Sequence, residues 1–265
     1  TRACWSPCCS SSCGSGKRLH SCPDWIPKGK DWYDPDMSAR HTKRHAATFI
    51  FDLDGTLVDS GRDIAEAANH ARGALGRPVL PLEQVMTYIG DGVPMLLRRC
   101  FAVEDPDPAD DLLTAARKAF DDHYGRHCLD HTRLFPGVLD VLRRLSRFPL
   151  MVATNKPRRF TDQMLGGLHI DGAFRRIVAG DDVVNKKPDP EMILLCLEGL
   201  DVQPSEVAVV GDSLNDISAA RAVGAVSVGC TFGLRPAGEI IAARPDVVLN
   251  AFAELTDHFA TRDSA

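Results

Sequence analysis

The residues of this chain that could do chemistry stand where apolar runs stop. The run at 47–52 (ATFIFD) ends on Asp52, and Asp54 follows ahead of Gly55 and Thr56. A second run at 150–154 leads to Thr154 and Asn155, and a third at 207–210 leads to Gly211 and Asp212, with Asp216 one helical turn beyond. Lys187 precedes Pro188 in the segment NKKPDP at 185–190. Singly, an Asp behind a strand is a turn former or a helix cap. Together, these residues would put four carboxylates, a hydroxyl and an ammonium around one crevice. Unneutralised carboxylates repel strongly in a partly buried site, so a cation is expected among them. Oxygen-only donors suit a hard ion, Mg²⁺ in particular.

Such a crevice requires elements that bring the runs side by side. Residues 63–76 place Ile64, Ala67, Ala68, Ala71 and Leu75 on one helical face, and Leu112, Leu113, Ala116, Phe120 and Tyr124 do the same further on. Val93, Leu96, Leu97 and Cys100 mark a shorter helix between them, and no strand pattern is evident from about 63 to 134. After Phe135-Pro136-Gly137, helical and apolar segments alternate. Helices are expected at 138–145, 158–168, 189–200 and 216–223, with strands at 150–154, 176–179, 207–210, 225–229 and 246–249. This alternation predicts an α/β fold, a Rossmann-like doubly wound parallel sheet whose ligands gather beyond the carboxyl ends of the strands. The helical block is then an insertion after the first strand, giving a core of 46–62 and 136–265 and a helical cap at 63–135.

Composition removes other classes. The chain has 265 residues, 44% of them apolar and 25% charged, with a formal net charge of −5. That balance argues against a nucleic-acid partner, which needs a basic face. No apolar run approaches the length of a membrane span, so no membrane partner is expected. Five of the nine cysteines (Cys4, Cys8, Cys9, Cys13 and Cys22) lie in the first 22 residues. Cys8, Cys9, Cys13, His20 and Cys22 could hold zinc, but no paired C-x-x-C spacing supports it. The plainer expectation is that 1–45 is a leader outside the working protein, which would start near Met37. The remaining cysteines, Cys100, Cys128, Cys196 and Cys230, are scattered as reduced cytoplasmic thiols would be.

The segment Asp52-Leu53-Asp54-Gly55-Thr56-Leu57-Val58-Asp59-Ser60 resembles the D-x-D-G-T-[LV]-x-D-[ST] signature of the haloacid dehalogenase (HAD) superfamily. Thr154, Lys187 before Pro and GDSLND at 211–216 match its three other motifs in order. The resemblance implies Asp52 as a nucleophile forming an aspartyl-phosphate, and Asp54 as general acid and then base. It implies Mg²⁺ held by Asp52, the Asp54 carbonyl and Asp212, with Asp216 as an outer or additional ligand. Thr154, Asn155 and Lys187 would hold the phosphoryl group, leaving Lys186 as a solvated neighbour. A dehalogenase expels halide without a proton, so an acid at Asp54 points to phosphoryl transfer with an alkoxide leaving group.

The stretches TNKPRRFT (154–161), GDDVVNKKPDP (180–190), GDSLNDISAARAVG (211–224) and YIGDGVPMLLRR (88–99) are similar to phosphoglycolate phosphatases. The substrate so implied is 2-phosphoglycolate, a small phosphorylated metabolite, handled by a cytoplasmic monomer or homodimer. The helical insert would close as a cap over the crevice. Gly90, Asp91 and Gly92 would approach the substrate there, or form a plain turn, and Arg98 and Arg99 could pair a carboxylate or simply be solvated. Capped phosphatases for sugar phosphates, amino-sugar phosphates or pyrophosphate share much of this pattern. A β-phosphoglucomutase-type activity is disfavoured by Thr154-Asn155-Lys156, where that group has a serine-rich segment. A catalytically silent binding subunit is disfavoured by the complete set of Asp52, Asp54 and Asp212.

Overall fold

The computed structural model describes residues 44–260. Residues 1–43, with their cysteines and Met37, lie outside the described residues, whereas Arg44 and His45, which the sequence reading set in a leader, form a strand paired with Phe259–Ala260. Along the chain come β1 (Arg44–His45), β2 (Thr48–Phe51), β3 (Val58–Asp59), α1 (Gly61–Ala74), α2 (Leu82–Met86), α3 (Val93–Phe101), α4 (Asp110–His127) and β4 (Arg133–Leu134). Then follow α5 (Val138–Arg144), β5 (Leu150–Ala153), α6 (Arg158–Gly167), β6 (Arg176–Val178), α7 (Glu191–Leu197) and β7 (Val207–Gly211). The last elements are α8 (Leu214–Val223), β8 (Val226–Cys230), α9 (Ala237–Ala242), β9 (Val247–Leu249), α10 (Leu255–His258) and β10 (Phe259–Ala260).

Six strands form a parallel sheet in the order β6-β5-β2-β7-β8-β9. Every residue of β2, β5, β7 and β8 is buried, as expected of strands covered on both faces. Alternation along β2 divides the core. Phe49 and Phe51 face one apolar cluster, while Ile50 joins Met151, Ala153, Val209 and the inner faces of α7 and α8 in the other. Because β2 lies between β5 and β7, the loops that follow all three open at the same edge.

Helices α1 to α4 fall between two short strands, and those strands pair. β3 and β4 form an antiparallel ribbon, Val58 opposite Leu134 and Asp59 opposite Arg133. Asp63, buried in the first turn of α1, secures it by accepting from the amides of His131 (3.0 Å) and Thr132 (2.8 Å). Inside the helical insert Arg72 is fully buried. Its Nε donates to the Pro78 carbonyl (2.7 Å), Nη2 pairs with Glu104 (2.5 Å), Nη1 reaches the Cys100 carbonyl, and the guanidinium lies over the Phe101 ring. Arg72→Ala should therefore strand two carbonyls and open a hole, costing about 3 kcal/mol, or roughly 6–12 °C in Tm by calorimetry. A loss under 2 °C would mean that solvent enters and satisfies those groups.

Four details depart from the sequence reading. A ribbon of two unanticipated strands stands at 58–59 and 133–134, the second inside the stretch read as purely helical; α2 and α9 were not anticipated; and β1 pairs in parallel with β10. Each is too short to show periodicity. The paired strands form because a partner from elsewhere in the chain satisfies their backbone. No helix among the described residues is long and apolar enough to cross a membrane, and Cys100, Cys128, Cys196 and Cys230 are buried and unpaired.

Candidate active site

β2 ends one residue before Asp52, whose amide still donates to Val210 of β7 (2.9 Å), so the ladder fixes where that carboxylate emerges. Lys187 meets it from the loop before α7. Its Nζ donates to Asp52 Oδ1 (2.8 Å), Asp216 Oδ1 (2.6 Å) and the Ala153 carbonyl (2.6 Å), using all three protons. Burial would lower the Lys187 ammonium, but Asp216 and Asp52 outweigh it and hold it above its usual range. Asp216 has a second task. Its Oδ2 accepts from Ser213 N (3.1 Å) and Oγ (2.5 Å), the capping box that starts α8.

Asp212 follows β7 and is buried against a loop that the sequence did not mark. Its Oδ2 accepts from the amides of Leu234 (2.6 Å) and Arg235 (3.4 Å). Two glycines make room for it. A Cβ on Gly55, which has φ +85°, would stand 2.1 Å from Asp212 Oδ2, and one on Gly233 would stand 2.4 Å from the same atom. Burial first, then the charges of Asp52 and Asp216, push the Asp212 carboxyl well above the usual range. Burial likewise raises Asp52 to about 6, with Lys187 opposing and Asp216 and Asp54 adding to the rise. Carboxylate oxygens of Asp52, Asp212 and Asp216 lie within 4.8 Å of one another. Three oxygen donors that repel one another, two buried and that of Asp52 half-buried, fit a hard divalent cation.

Asp54 faces the same cavity but belongs to a different set of contacts. Ser60 Oγ donates to its Oδ1 (2.5 Å), and Lys156 Nζ lies 3.0 Å from each of its oxygens. Lys156 also donates to Tyr124 Oη of α4 (2.7 Å). The cavity is lined by Asp52, Asp54, Thr154, Lys187 and Asp212 at the sheet edge. Ile64, Ile89, Val93, Leu96, Phe120 and Phe160 give it apolar walls, mostly from the helical insert. The charged groups facing it among the described residues are Asp52, Asp54 and Asp212 with Lys156, Lys187 and Arg235, and Asp216 stands behind Lys187; ion pairs at 2.6–3.0 Å join Lys156 to Asp54 and Lys187 to Asp52 and Asp216.

A family model of haloacid dehalogenase-like hydrolases matches residues 49–230, a span holding all of these groups except the loop at Gly233–Arg235. The chain belongs to the haloacid dehalogenase-like hydrolases. Within that family it is similar to the phosphoglycolate phosphatase of Escherichia coli K12, 39% identical over 224 residues that cover 77% of this chain and 89% of that protein. The phosphoglycolate phosphatase of Salmonella typhi is 41% identical over 225 residues, with the same coverage. A crystal structure of a predicted phosphoglycolate phosphatase from Haemophilus somnus superposes with a TM-score of 0.75 at 30% identity, covering 80% of this chain and 97% of that one. As a haloacid dehalogenase-like hydrolase, the chain is an enzyme of the phosphatase type.

Not every residue singled out in the sequence meets the cavity of this hydrolase in the expected way. Asn155 lines it, yet its side chain is spent on Lys187, donating to the carbonyl (3.0 Å) and accepting from the amide (3.0 Å). It therefore clamps the backbone that carries the ammonium. Gly90 and Gly92 line the cavity, whereas Asp91 pairs with Arg99 (2.6 Å) and accepts from Asn215 (2.8 Å). Those two hydrogen bonds outweigh burial and hold the Asp91 carboxyl below its usual value. Arg99 also donates to the Tyr88 carbonyl (3.0 Å), and Arg98 turns to Asp107 (3.5 Å) and Asp110 (3.6 Å), so neither arginine reaches the cavity. Lys186 is exposed, as its solvated reading expects. Lys156 and Tyr124 were missed. The signal for Lys156 was there, because Lys156-Pro157 repeats after β5 the Lys-Pro context that singled out Lys187.

Proposed function

We propose that this hydrolase cleaves 2-phosphoglycolate to glycolate and phosphate with Mg²⁺, and that 63–135 serves as its cap and the remainder of 46–265 as its core. One observation carries the reading. A nucleophile-grade carboxylate, Asp52, is held by Lys187, and a second carboxylate, Asp54, faces the same cavity on separate supports. In this reading Asp52 attacks phosphorus; an Asp52 oxygen–phosphorus bond forms while the ester P–O bond breaks. Asp54 gives its proton to the departing alkoxide oxygen. The Asp54 carboxylate then takes a proton from water, whose oxygen attacks phosphorus, releasing phosphate and restoring Asp52. Thr154 and neighbouring amides orient the phosphoryl oxygens, and Lys187 keeps Asp52 aimed. Asp52, the Asp54 carbonyl and Asp212 would hold Mg²⁺, with Asp216 behind them as Lys187's second partner. The ion would supply positive charge that lets an anionic phosphate approach an anionic nucleophile.

The apolar walls favour a short leaving group over a sugar, whose hydroxyls would find few partners on Ile64, Ile89, Val93, Leu96, Phe120 and Phe160. Mg²⁺-dependent phosphate release from 2-phosphoglycolate, several sugar and amino-sugar phosphates, pyrophosphate and an aryl phosphate tests the proposal. It fails if 2-phosphoglycolate ranks among the poorer substrates by kcat/KM. Acid should weaken the metal. With Asp52 at about 6, protons compete for that carboxylate below pH 6. The Kd for Mg²⁺ should then rise at least about tenfold per pH unit below 6, with the raised Asp212 carboxyl adding to the proton competition. Titration calorimetry at pH 5, 6 and 7.5 reads this directly, and a Kd that does not change with pH would remove Asp52 from the ligand set.

A further inference from the structure

Lys156 is an amine that the reading above leaves without a task. Its side chain is 4% exposed, and its partners are the two Asp54 oxygens at 3.0 Å and Tyr124 Oη at 2.7 Å, with Nζ 4.7 Å from the Tyr124 ring centre. Among the described residues, the cations lining the cavity are Lys156, Lys187 and Arg235. Lys187 is saturated by Asp52, Asp216 and the Ala153 carbonyl. Arg235 is turned to the carbonyls of Thr87 (3.1 Å) and Ile89 (3.3 Å) and to Glu239 (3.4 Å). Lys156 is thus the ammonium on the Asp54 side of the cavity, amid apolar walls that could not hold a second anion.

We propose that Lys156 determines specificity by binding a carboxylate carried one carbon beyond the ester oxygen, with Tyr124 of α4 as the residue that positions it. The inference rests on the reading of Asp54 as the group that meets the departing oxygen. In an ester of the form phosphate–O–CH₂–COO⁻, the carboxylate carbon is two bonds from that oxygen. An ammonium already bonded to Asp54 therefore lies next to where the carboxylate must go. The incoming carboxylate takes over one of the hydrogen bonds that Asp54 now accepts, so Lys156 exchanges one anionic partner for another and remains paired. Tyr124 keeps the amine in place from the insert side, which makes a correctly seated insert a condition for reading the leaving group. A neutral leaving group gains nothing from this ammonium.

The test compares 2-phosphoglycolate with 2-hydroxyethyl phosphate, which replaces the carboxylate by a neutral hydroxymethyl group, in the full-length enzyme with Mg²⁺. The wild type should prefer the carboxylate ester in kcat/KM. Lys156→Met should cut that preference about 10- to 100-fold, chiefly through KM for 2-phosphoglycolate, whatever it does to kcat for both esters through Asp54. Tyr124→Phe, which removes one hydroxyl and keeps the packed ring, should cut the preference severalfold and decides the matter if Lys156→Met fails to fold. A wild-type preference that survives intact in the folded variants would overturn the role of Lys156 alone. No wild-type preference for the carboxylate ester would overturn the substrate reading together with it.

Discussion

Asp52→Asn should lower kcat for phosphate release by at least about 10⁴-fold, because an amide cannot form the acyl-phosphate anhydride that divides the reaction in two. The fold should survive the change. Lys187 loses one carboxylate but keeps Asp216 and the Ala153 carbonyl, both at 2.6 Å, and the Asp52 amide remains in the ladder to Val210. Steady-state rates beside a circular-dichroism melt separate the two effects. Rapid quenching of the wild type with substrate should also give protein carrying one phosphoryl group, absent from the variant. Wild-type-like turnover by Asp52→Asn would show that phosphorus is attacked by something else.

Asp212→Asn should separate stability from activity. The Asp212 carboxyl is raised because burial and the neighbouring charges of Asp52 and Asp216 disfavour its ionised form. A group whose folded-state value lies above its unfolded one binds extra protons when folded, so it subtracts from stability once pH passes above the unfolded value. At pH 7.5, without metal, an amide that still accepts from Leu234 N removes that penalty. Tm should rise, by about 2–4 °C for each kcal/mol relieved. The same change removes an anionic oxygen that the cation needs, and Mg²⁺ affinity should fall by at least about 100-fold, taking activity at fixed Mg²⁺ with it. A metal-free Tm that falls instead would mean that the carboxylate is a net support of the loop at Gly233–Arg235.

The parts of the site that could be read from sequence are those that topology dictates. A parallel sheet must deliver the residues after neighbouring strands to one edge, so Asp52, Thr154 and Asp212 follow from the apolar runs and their order. Lys187 could be read because a Lys-Pro pair opens the loop before a helix. What stayed hidden depends on side-chain direction between distant segments. Tyr124 continues the apolar face of Ala116 and Phe120 and scans as one more core aromatic; only the packing of α4 shows its hydroxyl meeting Lys156. Adjacent residues on a helix point about 100° apart, so Arg98 and Arg99 could not both face one ligand, and their acidic neighbours claim them both. Asn155 sits at the expected position, but its amide has a backbone to hold. Arg72 stands four residues after Ala68 on the buried face of α1, but its charge argued for solvent, and only its hidden partners explain full burial.

Three clustered carboxylates (Asp52, Asp212, Asp216) against the ammonium of Lys187 leave that corner of the cavity with a formal charge of 1 − 3 = −2 when every group is ionised. A phosphate ester brings further negative charge to such a place and would be rejected by it, while a divalent cation cancels the deficit. Binding of cation and anion is therefore cooperative, and thermodynamics makes the cooperation mutual: whatever factor Mg²⁺ adds to phosphate affinity, phosphate returns to Mg²⁺. Under the proposed reaction the cation would accordingly be held most firmly while phosphate is bound and more loosely in the empty enzyme, so turnover at low Mg²⁺ would depend on how quickly the ion is regained between cycles.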